Sequence, residues 1–342
     1  MGGDFGPRIT VPATLNILRQ YSFLQAVLLG DESQIQPYLT NTSDIPAHQY
    51  RIQHCSESVS MDEKPSSAVR HKRDSSLWQA LKLVADGEAD ACVSAGNTGA
   101  LMAMSLLQLR TLPGISRPAI CTKVPTVFAN KRPIATNKEP AAEGYIHLLD
   151  LGANVVCSAE QLHQFAIMAS QTVSVTTGNH QPTVGLLNIG VEEIKGRHEI
   201  LDAAELLKAD SDIHFVGFVE GDDIFTGVAD IIVCDGFSGN VVLKASEGVA
   251  TMLKGFLTQA LSQNLWTKIA ALLARSALRA LKQRVDPSEY NGASLLGLRG
   301  VVVKSHGGAS LKGFSRALMV AVNEAQCDLP TLIEQRLINK QD

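Results

Sequence analysis

Aromatic side chains make up only 5% of this 342-residue chain, and cysteine is scarcer still. The six cysteines (Cys55, Cys92, Cys121, Cys157, Cys234 and Cys327) include no C-x-x-C pair, which excludes a short disulfide scaffold. Several sit in apolar runs, such as Ala91-Cys92-Val93, and are expected to be buried free thiols in a reducing cytosol. No excess of positive charge is present: 30 Lys+Arg against 34 Asp+Glu give −4, which argues against a generic nucleic-acid binder. A membrane span is missing too. The uncharged run Ala91–Leu109 contains Ser94-Ala-Gly-Asn-Thr-Gly99 and reads as strand, loop and helix. Met1-Gly-Gly-Asp-Phe-Gly-Pro7 has neither the basic nor the apolar region of a signal peptide, so a cytoplasmic location is expected.

The common catalytic signatures are also lacking. There is no G-x-x-x-x-G-K-[ST], G-x-G-x-x-G, H-E-x-x-H or G-x-S-x-G. Gly236-Phe-Ser-Gly239 is one spacer short of the last, so Ser238 is not placed as an elbow nucleophile. The nine histidines and six cysteines form no metal-ligand spacing. Serine hydrolase and zinc chemistry are therefore disfavoured.

What is present is an α/β rhythm. Short apolar runs end in small or polar residues: 25–29, 91–94, 118–124, 146–151, 183–189, 213–219, 231–234 and 300–304. Longer helical patterns alternate with them over 66–85, 98–109, 159–173, 199–207, 239–261 and 311–325. Uninterrupted β-branched runs predict strands covered on both faces, hence an α/β/α sandwich with a mainly parallel sheet. The expectation is one such domain over residues 1–342, with an exposed polar loop at Val127–Gly144.

Three strands run into glycine-rich polar turns: Ser94-Ala-Gly-Asn-Thr-Gly99, Asp235-Gly-Phe-Ser-Gly-Asn240 and Lys304-Ser-His-Gly-Gly308. Glycine lets backbone approach an anion, and a helix start attracts phosphate. One such turn is equally a plain helix cap; three in one sheet point to an anion site. Asp150-Leu-Gly-Ala-Asn154 reads first as a turn. In Asn188-Ile-Gly-Val-Glu-Glu-Ile-Lys-Gly196, glycines flank Lys195, which is either a ligand or a solvated lysine.

Residues 248–285 hold six Lys or Arg and no Asp or Glu, leaving the rest of the chain at −10. On a helix, Leu265, Trp266, Ile269, Leu272 and Leu273 share one face, flanked by Lys268, Arg275, Arg279 and Lys282. Two readings stand: a solvated helix packed on the core, or a basic amphipathic surface for anionic lipid or an acidic protein.

Met1-Gly-Gly-Asp4, Ser94–Ala100, Leu149–Asn154, Asn188-Ile-Gly190 with Lys195-Gly196, Cys234–Asn240 with Lys244, Asn291–Leu298 and Val303–Gly307 follow one another in a familiar order. With these motifs the chain resembles the bacterial phosphate acyltransferase family PlsX. The resemblance spans nearly the whole chain. It implies reversible transfer of a fatty acyl group from acyl carrier protein to inorganic phosphate, on a fold akin to phosphotransacetylases and isocitrate/isopropylmalate dehydrogenases. It also implies a homodimer at the cytoplasmic membrane surface, whose acyl phosphate goes to a membrane glycerol-3-phosphate acyltransferase. A short strand is expected ahead of Met-Gly-Gly-Asp.

Phosphate is already nucleophilic, so this reaction calls for no activated Ser or Cys, no metal and no cofactor. Asn97-Thr98-Gly99 and Ser238-Gly239-Asn240 are expected to cradle phosphate, together with Ser305. Lys304 or Lys195 would supply positive charge, and His306 would protonate the leaving thiolate. Asp235 either orients His306 or a lysine, or caps a helix. Leu265, Trp266, Lys268, Ile269, Leu273, Arg275, Arg279 and Lys282 are expected to meet carrier protein or membrane. The competing readings are a CoA-dependent short-chain phosphate acyltransferase, a decarboxylating dehydrogenase and a non-catalytic membrane scaffold.

Overall fold

The structure, a computed structural model, describes residues 1–127, 144–192, 194–284 and 286–338. The loop expected at Val127–Gly144 lies, but for its two end residues, outside them. The strands are β1 Ala26–Gly30, β2 Tyr50–His54, β3 Ala91–Ser94, β4 Ala119–Pro125, β5 Tyr145–Leu149, β6 Thr183–Leu187, β7 His214–Val219, β8 Ile231–Val233, β9 Ala293–Leu296 and β10 Val301–Lys304. The helices are α1 Pro7–Gln20, α2 Glu32–Ile35, α3 Pro65–His71, α4 Ser76–Ala85, α5 Thr98–Gln108, α6 Ala159–Thr177, α7 His198–Ala209, α8 Gly236–Ser262, α9 Leu265–Leu273, α10 Arg275–Arg284, α11 Leu311–Gln326 and α12 Leu329–Ile338.

Eight strands form one sheet in the order β3-β10-β9-β4-β5-β8-β6-β7, while β1 and β2 pair separately. Successive strand residues feed cores on opposite faces. Leu149, Ile231 and Val233 pack with Phe165, Ala203 and Leu207 of α6 and α7. Leu148 and Ile232 pack with Leu81, Leu101 and Met104 of α4 and α5. Both faces of the central strands are therefore apolar, which is why their sequences show runs and no alternation. At the other edge Val301 and Val303 meet Ala317 and Ala321 of α11.

Pairing is parallel within β3-β10 and within β5-β8-β6-β7, but antiparallel at β10-β9, β9-β4 and β4-β5. Three reversals turn β10 and β5 in opposite directions. The register aligns Val303, Ser294, Cys121, Leu149, Val233 and Leu186 in one row. Thus β10 and β5 approach that row from opposite ends of the sheet and both finish there. At three strand spacings the two chain ends are about 15 Å apart. Because the two halves run in opposite directions, their loops leave that row on opposite sides: the Lys304 turn lies beside Asn291, and the Asp150 turn beside Pro118 and Ile120.

The helical pattern over 66–85 resolves into α3 and α4. The break falls at 72–75, where the Ser75 hydroxyl accepts from Trp78 N–H and starts a second helix. The pattern over 239–261 belongs to a longer α8, whose only buried residues are Gly236 and Gly239. Among the described residues, none from Gly248 to Arg284 is buried, so the packed-helix reading of this stretch gives way to an exposed arm of α8, α9 and α10. No helix among the described residues is long and apolar enough to cross a membrane.

Candidate active site

Two groups of turns assemble at the row. The first joins the N-terminal turn to the ends of β3 and β10. Asp4 N–H donates to Gly307 O at 2.9 Å, and Ser305 N–H to Ser94 O at 2.8 Å. Gly2 lies so close to Gly96 that a Cβ there would sit 2.5 Å from its Cα. The Gly-Gly-Asp, Ser-Ala-Gly-Asn and Lys-Ser-His-Gly segments are therefore one structure.

Asn291, ahead of β9, organises the Lys304–Gly308 turn. Its Oδ1 accepts from His306 N–H at 2.9 Å, while its Nδ2 donates to Ser305 Oγ at 2.8 Å and to Gly313 O at 2.8 Å. His306 is exposed, and its Nδ1 accepts from Gly308 N–H at 3.0 Å. That bond assigns the proton of the neutral ring to the outward Nε2. Ser305 is fully buried beneath the turn. Lys304 is buried as well, and its ammonium donates to Ser305 O. Burial lowers its pKa from the ordinary lysine value to about 8, against a small raising effect of Asp4.

The second group joins the ends of β5, β6 and β8. Asp150 is buried, and its carboxylate accepts from the N–H groups of Ile120 (3.1 Å), Ala153 (3.0 Å) and Asn154 (2.7 Å) and from Asn154 Nδ2 (2.9 Å). Burial raises its pKa while these bonds oppose the rise. It is the turn former expected. Gly236 N–H donates to Asn154 O at 2.7 Å. Any side chain at Gly239 would strike Asp150 O, so α8 can start here only as glycine. Asn240 consequently lies over Gly152.

Several sequence expectations change at this level. Asp235 does not orient His306 or a lysine. Its Oδ1 accepts from Ser238 N–H at 2.7 Å as the N-cap of α8, and its Oδ2 pairs with Arg197. Gly239 N–H also bonds Asp235 O, at 3.0 Å. The main-chain donors expected to cradle phosphate at Ser238 and Gly239 are thus engaged, leaving the half-buried Ser238 hydroxyl and Asn240 amide. The Asn97 side chain is engaged too: Oδ1 caps α5 at Ala100 N–H, and Nδ2 reaches the carbonyls of Ser60, Met61 and Glu63 at 2.9–3.2 Å. Thr98 and Gly99 are exposed on the first turn of α5.

Lys195 is exposed, with Nζ 2.8 Å from Glu192 Oε1, a pairing that raises its pKa. Arg197 and Asn291 were not singled out from sequence. Arg197 followed Lys-Gly without any distinguishing pattern, whereas Asn291 stood in a motif of the family resemblance, Asn291–Leu298, with no role assigned to its side chain. On the arm, Trp266 and Leu273 are 80% and 81% exposed, and Leu265, Ile269, Lys268, Arg275, Arg279 and Lys282 are exposed with them.

The six cysteines are free, and all but Cys327 are buried. Burial pushes the Cys92 thiol up to about 12, far from a reactive thiolate.

Residues 1–331 match the family model described as fatty acid synthesis protein. The phosphate acyltransferase of Methylococcus capsulatus is 50% identical over 337 residues, covering 98% of this chain and 95% of that one. That of Halorhodospira halophila is 48% identical over 337 residues, covering 98% and 94%. Among solved structures, a phosphotransacetylase from Streptococcus pyogenes superposes with a TM-score of 0.59 at 18% identity, covering 94% of this chain and 91% of that one. A phosphotransacetylase from Staphylococcus aureus gives 0.56 at 15% identity, covering 93% and 92%. These structures share the mixed α/β architecture with its mainly parallel sheet. With its motifs, strand-end turns and near full-length match together, the chain belongs to the fatty acid synthesis protein family of phosphate acyltransferases.

Proposed function

We propose that this protein is an acyltransferase that moves a fatty acyl group from acyl carrier protein to inorganic phosphate, yielding acyl phosphate for phospholipid synthesis. The observation that carries the proposal is the 50% identity to a phosphate acyltransferase over 98% of the chain. The geometry supports it. Two groups of polar, glycine-rich turns follow strand ends that stop at one row of the sheet, about 15 Å apart by strand spacing, and each offers groups suited to an anion.

In this scheme a phosphate oxygen attacks the thioester carbonyl carbon, a C–O bond forms, and the C–S bond breaks. The oxyanion in between needs fixed positive charge or hydrogen-bond donors. Lys195, Ser238 and Asn240 hold phosphate beside α8. Buried Lys304 supplies charge beneath the opposite turn, and His306, with its proton on the exposed Nε2, protonates the departing thiolate. The loops around Lys195 and Asn240 expose Val155, Val156, Ile189, Val191, Ile194 and Phe237, an apolar rim suited to an acyl chain.

The basic arm supports the partner assignments. With no acidic residue from 248 to 285, it complements an acidic carrier protein or an anionic leaflet. The protein then works as a cytoplasmic homodimer, bound peripherally to the membrane and feeding a membrane glycerol-3-phosphate acyltransferase. A donor comparison tests the assignment. Palmitoyl-acyl carrier protein is expected to give phosphate-dependent thiol release with a kcat/KM at least about 100-fold above short-chain acyl-CoA, since binding energy from the carrier is realised at the reacting centre. Equal or better turnover of acetyl- or butyryl-CoA favours the CoA-dependent reading.

A further inference from the structure

Asn188 closes β6, and its side chain is given over to the backbone of the loop that follows. The two hydrogens of Nδ2 meet two carbonyls, Gly190 O at 3.1 Å and Lys195 O at 2.8 Å. Its own N–H is held by Val219 O at 2.9 Å, so the residue is fixed to β7 while it grips the loop. The amide is 7% exposed, and its Oδ1 is buried without a hydrogen-bond partner. That oxygen lies against Gly196, whose φ of +109° favours glycine and where a Cβ would collide with it.

Leaving an amide oxygen unpaired in the interior carries a free-energy cost. Here the other half of the amide draws both ends of the turn together.

The Lys195 side chain is folded back by the same turn. It lies over Gly190, where a Cβ would come 2.6 Å from Lys195 Cδ and 3.2 Å from Nζ. Beyond Gly196 the loop is tied at a second point, through Arg197 to Asp235, the residue that caps the helix bearing Ser238 and Asn240. Asn188 at one end and Asp235 at the other thus fix the Lys195 loop against α8.

We propose that Asn188 is a positioning residue for the acyl transfer, setting the place of the Lys195 ammonium relative to Asn240 by clamping the main chain on both sides of it. The proposal rests on the assignment of phosphate to Lys195 and Asn240 made above. Asparagine is required because aspartate, of nearly equal shape, would turn an oxygen toward two carbonyls.

The test measures phosphate-dependent thiol release from palmitoyl-acyl carrier protein at varied phosphate, with melting temperatures alongside. Asn188→Ala and Asn188→Asp are expected to lower kcat/KM for phosphate by about 10- to 100-fold, the scale of a misplacement near 1 Å. In a Lys195→Ala background, Asn188→Ala is expected to add less than about 2-fold, because its effect runs through the lysine. Gly190→Ala keeps Asn188 itself but sets a Cβ 2.6 Å from both Lys195 Cδ and its ion-pair partner Glu192 Oε2, and is expected to reproduce the loss; it carries the test should the Asn188 variants not fold. An equal factor for Asn188→Ala with and without Lys195 overturns the proposal, as does Gly190→Ala at the wild-type value. Wild-type activity in Lys195→Ala overturns it by removing the lysine from the site. Absence of phosphate-dependent release by the unaltered protein is a different result and overturns the functional assignment itself.

Discussion

Lys304 ends β10 with its ammonium beneath the Lys-Ser-His-Gly turn, where burial disfavours the charged form and holds its pKa at about 8. The sign follows from that. The folded protein holds this proton below about pH 8, whereas the unfolded chain keeps it to the ordinary lysine value of 10.5. Any help that the charge gives to phosphate is complete below about 8 and is lost as pH rises through it. The expected outcome is a falling limb in kcat/KM for phosphate near pH 8, absent in Lys304→Arg because arginine stays charged. The same limb in both proteins would remove the Lys304 charge from the reaction. Residues of this kind were only partly legible in the sequence. Asn97 and Asp235 stood where either a ligand or a helix cap belongs, and only the positions of Ala100, Ser238 and Arg197 decide for capping. Arg197 itself had no local signal, since its partner is 38 residues away.

At the scale of elements, apolar runs located β3, β4, β8 and β10 to within a residue or two, because strands buried on both faces leave an unbroken trace. Two strands left none. Tyr50–His54 pairs with β1 alone among the described residues and carries polar residues, and Ala293–Leu296 sits inside a small and polar stretch, Asn291-Gly-Ala-Ser294, whose apolar part is only Leu295-Leu296. The arm was legible as a charge asymmetry but not as a projection, since an amphipathic pattern has the same period whether its apolar side meets the core or a partner. Its apolar residues are exposed here, with Leu265 and Leu272 at 72% and 67%. Because no core depends on it, Arg275→Glu with Arg279→Glu is expected to leave the melting temperature unchanged. The same pair should weaken binding to anionic vesicles or to acyl carrier protein by about 10-fold or more at low salt, each charge near such a surface contributing about 1 kcal/mol. Co-sedimentation with vesicles and carrier-protein titration read this out. Unaltered binding to both would assign the arm to neither partner.

Across the whole molecule, the layout of the strand-end turns follows from three antiparallel joints in an otherwise parallel sheet. They bring two oppositely directed sets of strand ends to one row of the sheet, with the turns of Asn97 and Lys304 following one set and those of Asn188 and Asn240 the other. The sequence placed polar turns at strand ends and an α/β/α fold around them. It did not reveal the reversal, because strand direction depends on β9, the shortest and least marked of the joining strands. The central claim is that phosphate, not water, receives the acyl group, and fully ¹⁸O-labelled phosphate tests it most directly. Incubated with palmitoyl-acyl carrier protein, the protein is expected to yield palmitoyl phosphate retaining all the label, with release of carrier thiol that stops when phosphate is withheld. Unlabelled fatty acid, released at the same rate without phosphate, would contradict the account.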